Sequence, residues 1–313
     1  MKKFIKLFQK VGGKEILRQY AQGHVLIYSL LVTLLMGIDK KSLEIVRLAV
    51  NNKLLKNLRK KYRSFIENFM KGNSVEDNDI QPRKVWICWF QGMENAPDIV
   101  QKCYNSVQAH VIDREIVLIT EKNYKDYVIF PEYIQEKIDA GIISPTHMSD
   151  ILRLELLLRY GGTWMDATIL CTGKIPEYML DSDLFLFQNL KPGLDGHCTS
   201  ISNWFITSSQ DNKILKLTLA LLYEYWKNND KLIDYFIFHD FFQLAIEAYP
   251  EEWNTVIPSS NSTPHILLLR LFNVYYEKAW NAIKEQTSIH KLTYKFNVEQ
   301  AKLAGTYYSV LFR

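Results

Sequence analysis

From residue 84 onward, short apolar runs alternate with longer amphipathic ones, and this alternation limits the possible folds more than any other feature. KVWICWF (84–90) is apolar after its first residue and of strand length, the pattern of a strand covered on both faces. NAPDIVQKCYNSVQAH (95–110) reads as a helix and EIVLIT (115–120) as a second strand. In SPTHMSDILRLELLLRY (144–160), Ser144 is placed to cap a helix whose first residue is Pro145. Gly161–Gly162 stop that helix, and TWMDATIL (163–170) is the next predicted strand. DLFLFQN (183–189) and NWFITSS (203–209) follow as strands, then helices at about 211–228 and 232–248. Such an order predicts an α/β layered sheet with ligands at the carboxyl ends of its strands.

One residue disturbs the pattern. Asp166 stands between Trp164, Met165 and Ile169, where a strand should be buried. An ionised carboxylate is costly there unless a cation or hydrogen-bond donors meet it. Either the strand ends at a site or Asp166 caps a turn. On the preceding helix, Asp150, Arg153 and Leu157 share a face, because residues three and four apart are neighbours. That helix therefore delivers an acid and a guanidinium towards the strand carrying Asp166, or else holds a structural ion pair at its start. His147, three residues before Asp150, lines the same face without metal-site spacing.

The first 71 residues differ from the rest. They hold 16 Lys and Arg against 4 Asp and Glu, while the remainder holds 22 against 30. A basic module of this kind faces something acidic: an anionic bilayer, a nucleic acid or the acidic body of the protein itself. Phe4, Ile5, Leu7 and Phe8 lie among lysines, a pattern compatible with an interfacial helix. HVLIYSLLVTLLMGI (24–38) is 15 residues without a formal charge. A bilayer span needs about 20, and no small-residue cleavage site follows, so a buried or membrane-resting helix is favoured over a signal anchor. Residues 40–71 read as one long basic helix with an apolar stripe of Leu43, Val46, Val50, Leu54, Leu58, Tyr62, Phe65 and Phe69. The polar stretch GNSVEDNDIQP (72–82) marks the boundary, giving a basic helical region at 1–72 and a second domain at 83–313.

Composition excludes some classes. At 48% hydrophobic and 23% charged residues the chain is no disordered polymer. Its four cysteines form no C-x-x-C pair, so neither a zinc knuckle nor a disulfide framework is indicated, and a reducing compartment is expected. Aromatic residues reach 13%, as in an aromatic-rich core or a protein that handles flat, polar ligands such as sugars.

HMSDILRLELLLRYGGTWMDAT (147–168) resembles the capsular polysaccharide synthesis glycosyltransferases, relatives of glycosyltransferase family 32 and the clostridial glucosylating toxins. That wider group reads approximately S-D-x-x-R-x-x-x-L-x-x-x-G-G-x-Y-x-D-x-D. The likeness continues in KVWICWFQGMENAPDIVQKCYNSV, DYFIFHDFF and SIHKLTYK, covering about residues 83–296. The resemblance implies an α/β GT-A (Rossmann-like) nucleotide-sugar-binding fold, here with a basic helical N-terminal extension. It also implies a UDP-sugar donor, a divalent cation (Mn²⁺ or Mg²⁺) and retention of anomeric configuration.

Residue chemistry agrees with that expectation. Carboxylate oxygens are the hard ligands such a cation prefers, and charged partners such as Asp150 and Arg153 suit sugar hydroxyls. Trp89 or Trp86 offers uracil a flat face, and Trp164 is either core or a nucleotide contact. One position departs from the group: its last acid, commonly a metal ligand, is Thr168 here. His290 is then the candidate to complete the metal shell with Asp166, and Lys291 and Lys295 the candidates to hold phosphate oxygens. His239 and Asp240 lie in an aromatic helix, either at the acceptor side of the site or as hydrogen-bonded core residues.

The expected function is transfer of a hexose from a UDP-sugar to a lipid-linked oligosaccharide in capsular or surface polysaccharide assembly. The expected place is the cytoplasmic side, peripheral on the inner face of the membrane, where basic helices meet anionic lipid. The acidic body does not suit a nucleic-acid partner. Two rivals stand beside this reading: a sugar-phosphate transferase, and a non-catalytic scaffold that kept the fold.

Overall fold

The strands fall in chain order as β1 (Lys84–Cys88), β2 (Glu115–Ile119), β3 (Gly162–Met165), β4 (Ile169–Cys171), β5 (Leu184–Gln188), β6 (Ile201–Ser208) and β7 (Ile289–Lys291). The helices of ten residues or more are α1 (Gly13–Gln22), α2 (Leu26–Met36), α3 (Lys40–Gly72), α4 (Asp98–His110), α5 (Pro145–Tyr160), α6 (Lys213–Asn228), α7 (Ile237–Ala248) and α8 (Glu277–Gln286). These come from a computed structural model that describes residues 13–72, 83–190 and 198–313. Phe4, Ile5, Leu7, Phe8 and nearly all of the boundary stretch lie outside the described residues.

The main sheet runs β2-β1-β3-β6-β5. β1 pairs in parallel with both β2 and β3, and β6 runs antiparallel to β3 and β5. The sheet is therefore mixed, parallel on one side and antiparallel on the other. Alternate residues divide between two cores, as period-two alternation requires. Trp86, Trp164, Leu186 and Ile206 pack beneath the helix layer of α3, α5, α6 and α7, while Val85, Ile87, Met165 and Phe205 pack against α4 and the C-terminal elements.

The single strand expected over 163–170 breaks in two. The Asp166 amide still donates to Trp204 O (2.9 Å), holding the end of β3 against β6. Ile169 N then donates back to Asp166 O (3.1 Å), closing a turn. Past the turn, β4 leaves the main sheet and pairs antiparallel with β7, Leu170 opposite His290. Asp166 thus sits at the corner between two sheets. The Gly-Gly pair does more than stop α5. Gly162 has φ +105°, and a Cβ there would lie 2.4 Å from Lys84 O, so only glycine lets β3 enter the sheet this close to β1.

The α3 stripe is as its spacing predicts, with Val46, Val50, Leu54, Leu58 and Tyr62 buried. Tyr62 meets Phe241 of α7 edge-on at 5.1 Å, and Arg59 makes two 2.7 Å hydrogen bonds to the Glu247 carboxylate. α2, however, is not a buried helix. It turns Val25 and Ser29 inwards and leaves Ile27, Leu30, Leu31, Leu34 and Leu35 exposed, the last two by 81% and 83%. No helix among the described residues is long and apolar enough to cross a membrane.

Candidate active site

A cavity of about 520 Å³ opens where β1 and β3 end. Cys88 to Gln91 form one wall, Asp166 to Thr168 the floor, and Lys291 at the end of β7 with the residues after it to Lys295 the opposite wall. The N-terminal part of α5, with Asp150 and Arg153, and the entry to α7, with Tyr235, Phe236 and His239, close the remaining side. Ser144 accepts a hydrogen bond from His147 N at the start of α5, the cap the sequence predicts.

Asp166 is met by donors on both oxygens. Trp164 Nε1 donates to Oδ1 (3.0 Å), and Lys291 Nζ lies 3.1 Å from Oδ2. Arg153 Nη1 stands 3.9 Å from Oδ1. Burial alone would raise the carboxyl's pKa, but the Lys291 and Arg153 charges outweigh it and hold Asp166 below the usual carboxylate range. Lys291 Nζ also donates to Thr168 Oγ1 (2.6 Å), so one ammonium spans the acid and the hydroxyl.

Arg153 is fixed on every side. Its Nε donates to Ser149 O (3.1 Å), its Nη1 to Asn203 O, and its Nη2 lies 3.1 Å from Asp150 Oδ1. The guanidinium also stands 4.8 Å from the centre of the Trp164 ring. Asn203 Nδ2 donates to the same Asp150 oxygen (2.9 Å), so Asp150 and Arg153 form a satisfied buried pair at the cavity edge. His239 reaches the cavity with Nδ1 unpartnered. Burial pushes its pKa down to about 4, with Asp150 raising it and Arg153 lowering it, so the ring is neutral near pH 7.

Three expected site residues are not at the cavity. Trp86 is fully buried mid-strand, donating Nε1 to Gly161 O (2.9 Å) and packing on Tyr127 and Tyr160. His290 is fully buried on the opposite side of β7 from Lys291, its Nε2 3.0 Å from Thr172 Oγ1 and its ring against Trp280. Asp240 lies in the core under α7, where burial first and Asp234 second raise its pKa well above the ordinary value. Trp89, Trp164, Thr168, His239, Lys291 and Lys295 do line the cavity. Sequence reasoning missed Tyr294, whose ring meets Trp89 edge-on at 5.1 Å, and Asn203. Tyr294 lies between the two lysines already singled out; Asn203 carried no signal beyond being polar in an apolar strand.

These residues do not make a shell for a resident Mn²⁺ or Mg²⁺. The cavity's carboxylates are Asp150 and Asp166, and each is already engaged by cationic and neutral donors. With His290 turned away, Thr168 adds only a neutral hydroxyl that already receives Lys291. Among the described residues no group of three or more His, Cys, Asp and Glu side chains is placed to hold a metal ion.

A family model described as capsular polysaccharide synthesis protein matches residues 37–311, taking in α3 as well as the sheet. The chain is similar to the O-glycosyltransferase braB of Annulohypoxylon truncatum, 29% identical over 46% of this chain and 38% of that protein. It is also similar to Subversion of eukaryotic traffic protein A of Legionella pneumophila, 27% identical over 34% of this chain and 16% of that protein. The chain therefore spans well under half the length of these two curated relatives. The solved PaToxG glycosyltransferase superposes with a TM-score of 0.37 at 17% identity, over 77% of this chain and 86% of that one. On the extent of the family match, from Gly37 almost to the last residue, this chain belongs to the capsular polysaccharide synthesis protein family.

Proposed function

We propose that the chain is a GT-A-type retaining glycosyltransferase that moves a hexose from a UDP-sugar to a lipid-linked oligosaccharide in capsular polysaccharide assembly. The observation carrying this reading is one cavity with an aromatic wall at Trp89 and Tyr294, a carboxylate at its floor and cations from Lys291, Lys295 and Arg153. Each part suits one part of a sugar nucleotide: the aromatic wall the base, the cations the diphosphate, Asp166 and Asp150 the hydroxyls. The volume is that of a typical small-ligand site. Family membership and the resemblance to an O-glycosyltransferase support the transferase class. A panel of nucleotide sugars, assayed for release of free nucleoside diphosphate, tests it.

The two tryptophans give a paired prediction. Trp89→Ala removes a stacking face worth about 1–3 kcal/mol and should weaken UDP binding by about five-fold to 150-fold. Trp86→Phe removes a core hydrogen bond and part of the ring that packs on Tyr127 and Tyr160, and should lower stability by about 2–3 kcal/mol with UDP affinity unchanged. Calorimetric titration and urea denaturation separate the two; equal losses of affinity would place the base elsewhere.

The acceptor half of the proposal draws on α2. Its outward leucines and isoleucine continue into Ile38, Ile45 and Leu48, with Lys40, Lys41 and Arg47 exposed beside them. Apolar side chains flanked by cations fit the surface of an anionic bilayer, where each cation contributes about 1 kcal/mol. Leu48 O receives the Cys198 thiol, and exposed Tyr235 and Phe236 stand at the cavity mouth. A peripheral position on the inner membrane face would bring a lipid-linked acceptor to that mouth. Leu34→Glu with Leu35→Glu, both on the exposed face, should abolish co-sedimentation with phosphatidylglycerol vesicles and leave the fold unchanged. Full binding by the double variant would contradict the membrane assignment.

A further inference from the structure

Lys291 stands where a bound cation would have to act. Its Nζ is 3.1 Å from Asp166 Oδ2 and 2.6 Å from Thr168 Oγ1, and its side chain is 16% exposed, at the cavity wall. We propose that this ammonium, with Lys295 beside it, replaces a divalent metal as the charge that receives the donor's diphosphate, so that the nucleotide binds without a metal ion. The inference rests on the UDP-sugar reading and concerns how that site holds its ligand.

Three observations lead to it. First, the acid that would anchor a metal is already committed, one oxygen to Trp164 and the other to Lys291. A cation placed between Asp166 and Thr168 would meet the ammonium at contact distance, and like charges there repel with little water to screen them. Second, Thr168 accounts for itself. A hydroxyl fixes the position of Lys291 Nζ and leaves its charge intact, whereas an aspartate at 168 would cancel it. Around the floor, Lys291, Lys295 and Arg153 carry three positive charges against two from Asp150 and Asp166, an excess suited to a diphosphate. Third, the ammonium has capacity to spare. Its third contact is Leu292 O at 3.4 Å, too long to compete with a phosphate oxygen. Lys295 lies exposed on the same wall, its Nζ 5.6 Å from the Tyr294 ring centre.

The test is calorimetric titration of UDP and UMP into the full-length protein, first in EDTA and then with Mn²⁺ restored. The expected result is UDP binding in EDTA that changes less than about three-fold when Mn²⁺ is added. Lys291→Met should weaken UDP binding about ten-fold or more, the loss of one charge-assisted hydrogen bond, and weaken UMP binding much less. Lys291→Arg should recover part of that loss. Lys295→Met changes an exposed side chain, so it leaves the fold intact and should weaken UDP binding several-fold. Thr168→Asp should lower UDP affinity in EDTA, and unchanged affinity there would contradict the charge argument. UDP binding that requires Mn²⁺, or wild-type affinity in both lysine-to-methionine variants, would overturn the inference while leaving the donor assignment standing. Failure of UDP to bind with or without Mn²⁺ would overturn both.

Discussion

Asp166→Asn should reduce sugar transfer by about a thousand-fold in kcat/KM while the protein melts within a few degrees of the wild type. The expected size is that of removing a group aligned with the reacting centre, about 10²–10³ or more. Asparagine keeps an oxygen for Trp164 Nε1, so the corner between β3 and β4 persists. What disappears is the negative charge facing Lys291 and Arg153. The same charge sets a pH signature. Because the folded pKa lies below the ordinary 3.8, Asp166 contributes stability above the unfolded value and loses it as pH falls through the lowered folded value. The wild type should therefore lose this contribution only below about pH 4, and the asparagine variant should lack that loss. Steady-state kinetics with thermal melts from pH 3 to 7 check both statements. Near-normal turnover in the variant would mean that the site is misplaced.

Arg153→Met should behave differently, losing activity and about 3–5 kcal/mol of stability together. Arg153 and Asp150 are both nearly inaccessible, and removing one member of a buried ion pair leaves the other's charge uncompensated. Asn203 and His147 remain near Asp150, but Asn203 is neutral and His147 Nδ1 stands 3.5 Å away, too far for a good hydrogen bond. Arg153→Met also removes the cation over Trp164 and the donor to the β6 backbone at Asn203. Adding Asp150→Asn should restore about half of the lost stability without restoring transfer, which a double-mutant cycle by urea denaturation would measure. The contrast separates a residue that holds the site together as well as facing the ligand from one whose loss affects the ligand alone. Equal stability of Arg153→Met and wild type would remove the structural half of that account.

The elements placed most accurately from sequence are those whose signals are local. β1 and β2 lie within two residues of their apolar runs, α5 begins at its cap, and the middle of the α3 stripe, Val46 to Tyr62, is buried while Leu43, Phe65 and Phe69 are half-buried. Asp166 itself pointed to the end of β3, but the departure of the next residues to a second sheet was not legible, because Ile169, Leu170 and Cys171 are as apolar as the strand before them. What divides the run is pairing with β7, about 120 residues further on, and no local pattern carries that information. Phase was the second obstacle. His290 and Lys291 are adjacent on β7, so a one-residue choice decides which enters the cavity and which the core. Trp86 and Trp89 share one apolar run, but the strand ends at Cys88, and only the residue beyond the end is free to face a ligand. His239 and Asp240 divide in the same way on α7. The central motif itself was legible, since Asp150, Arg153 and Asp166 do converge on the cavity.

The most direct test of the account is the release of free nucleotide (UDP, GDP or CMP) from a panel of UDP-, GDP- and CMP-linked sugars by the wild type and by Asp166→Asn. The expected result is turnover of at least one UDP-hexose by the wild type, none of the other sugar nucleotides, and about a thousand-fold less by the variant. Release from no sugar nucleotide, or release undiminished by the loss of the Asp166 charge, would contradict it.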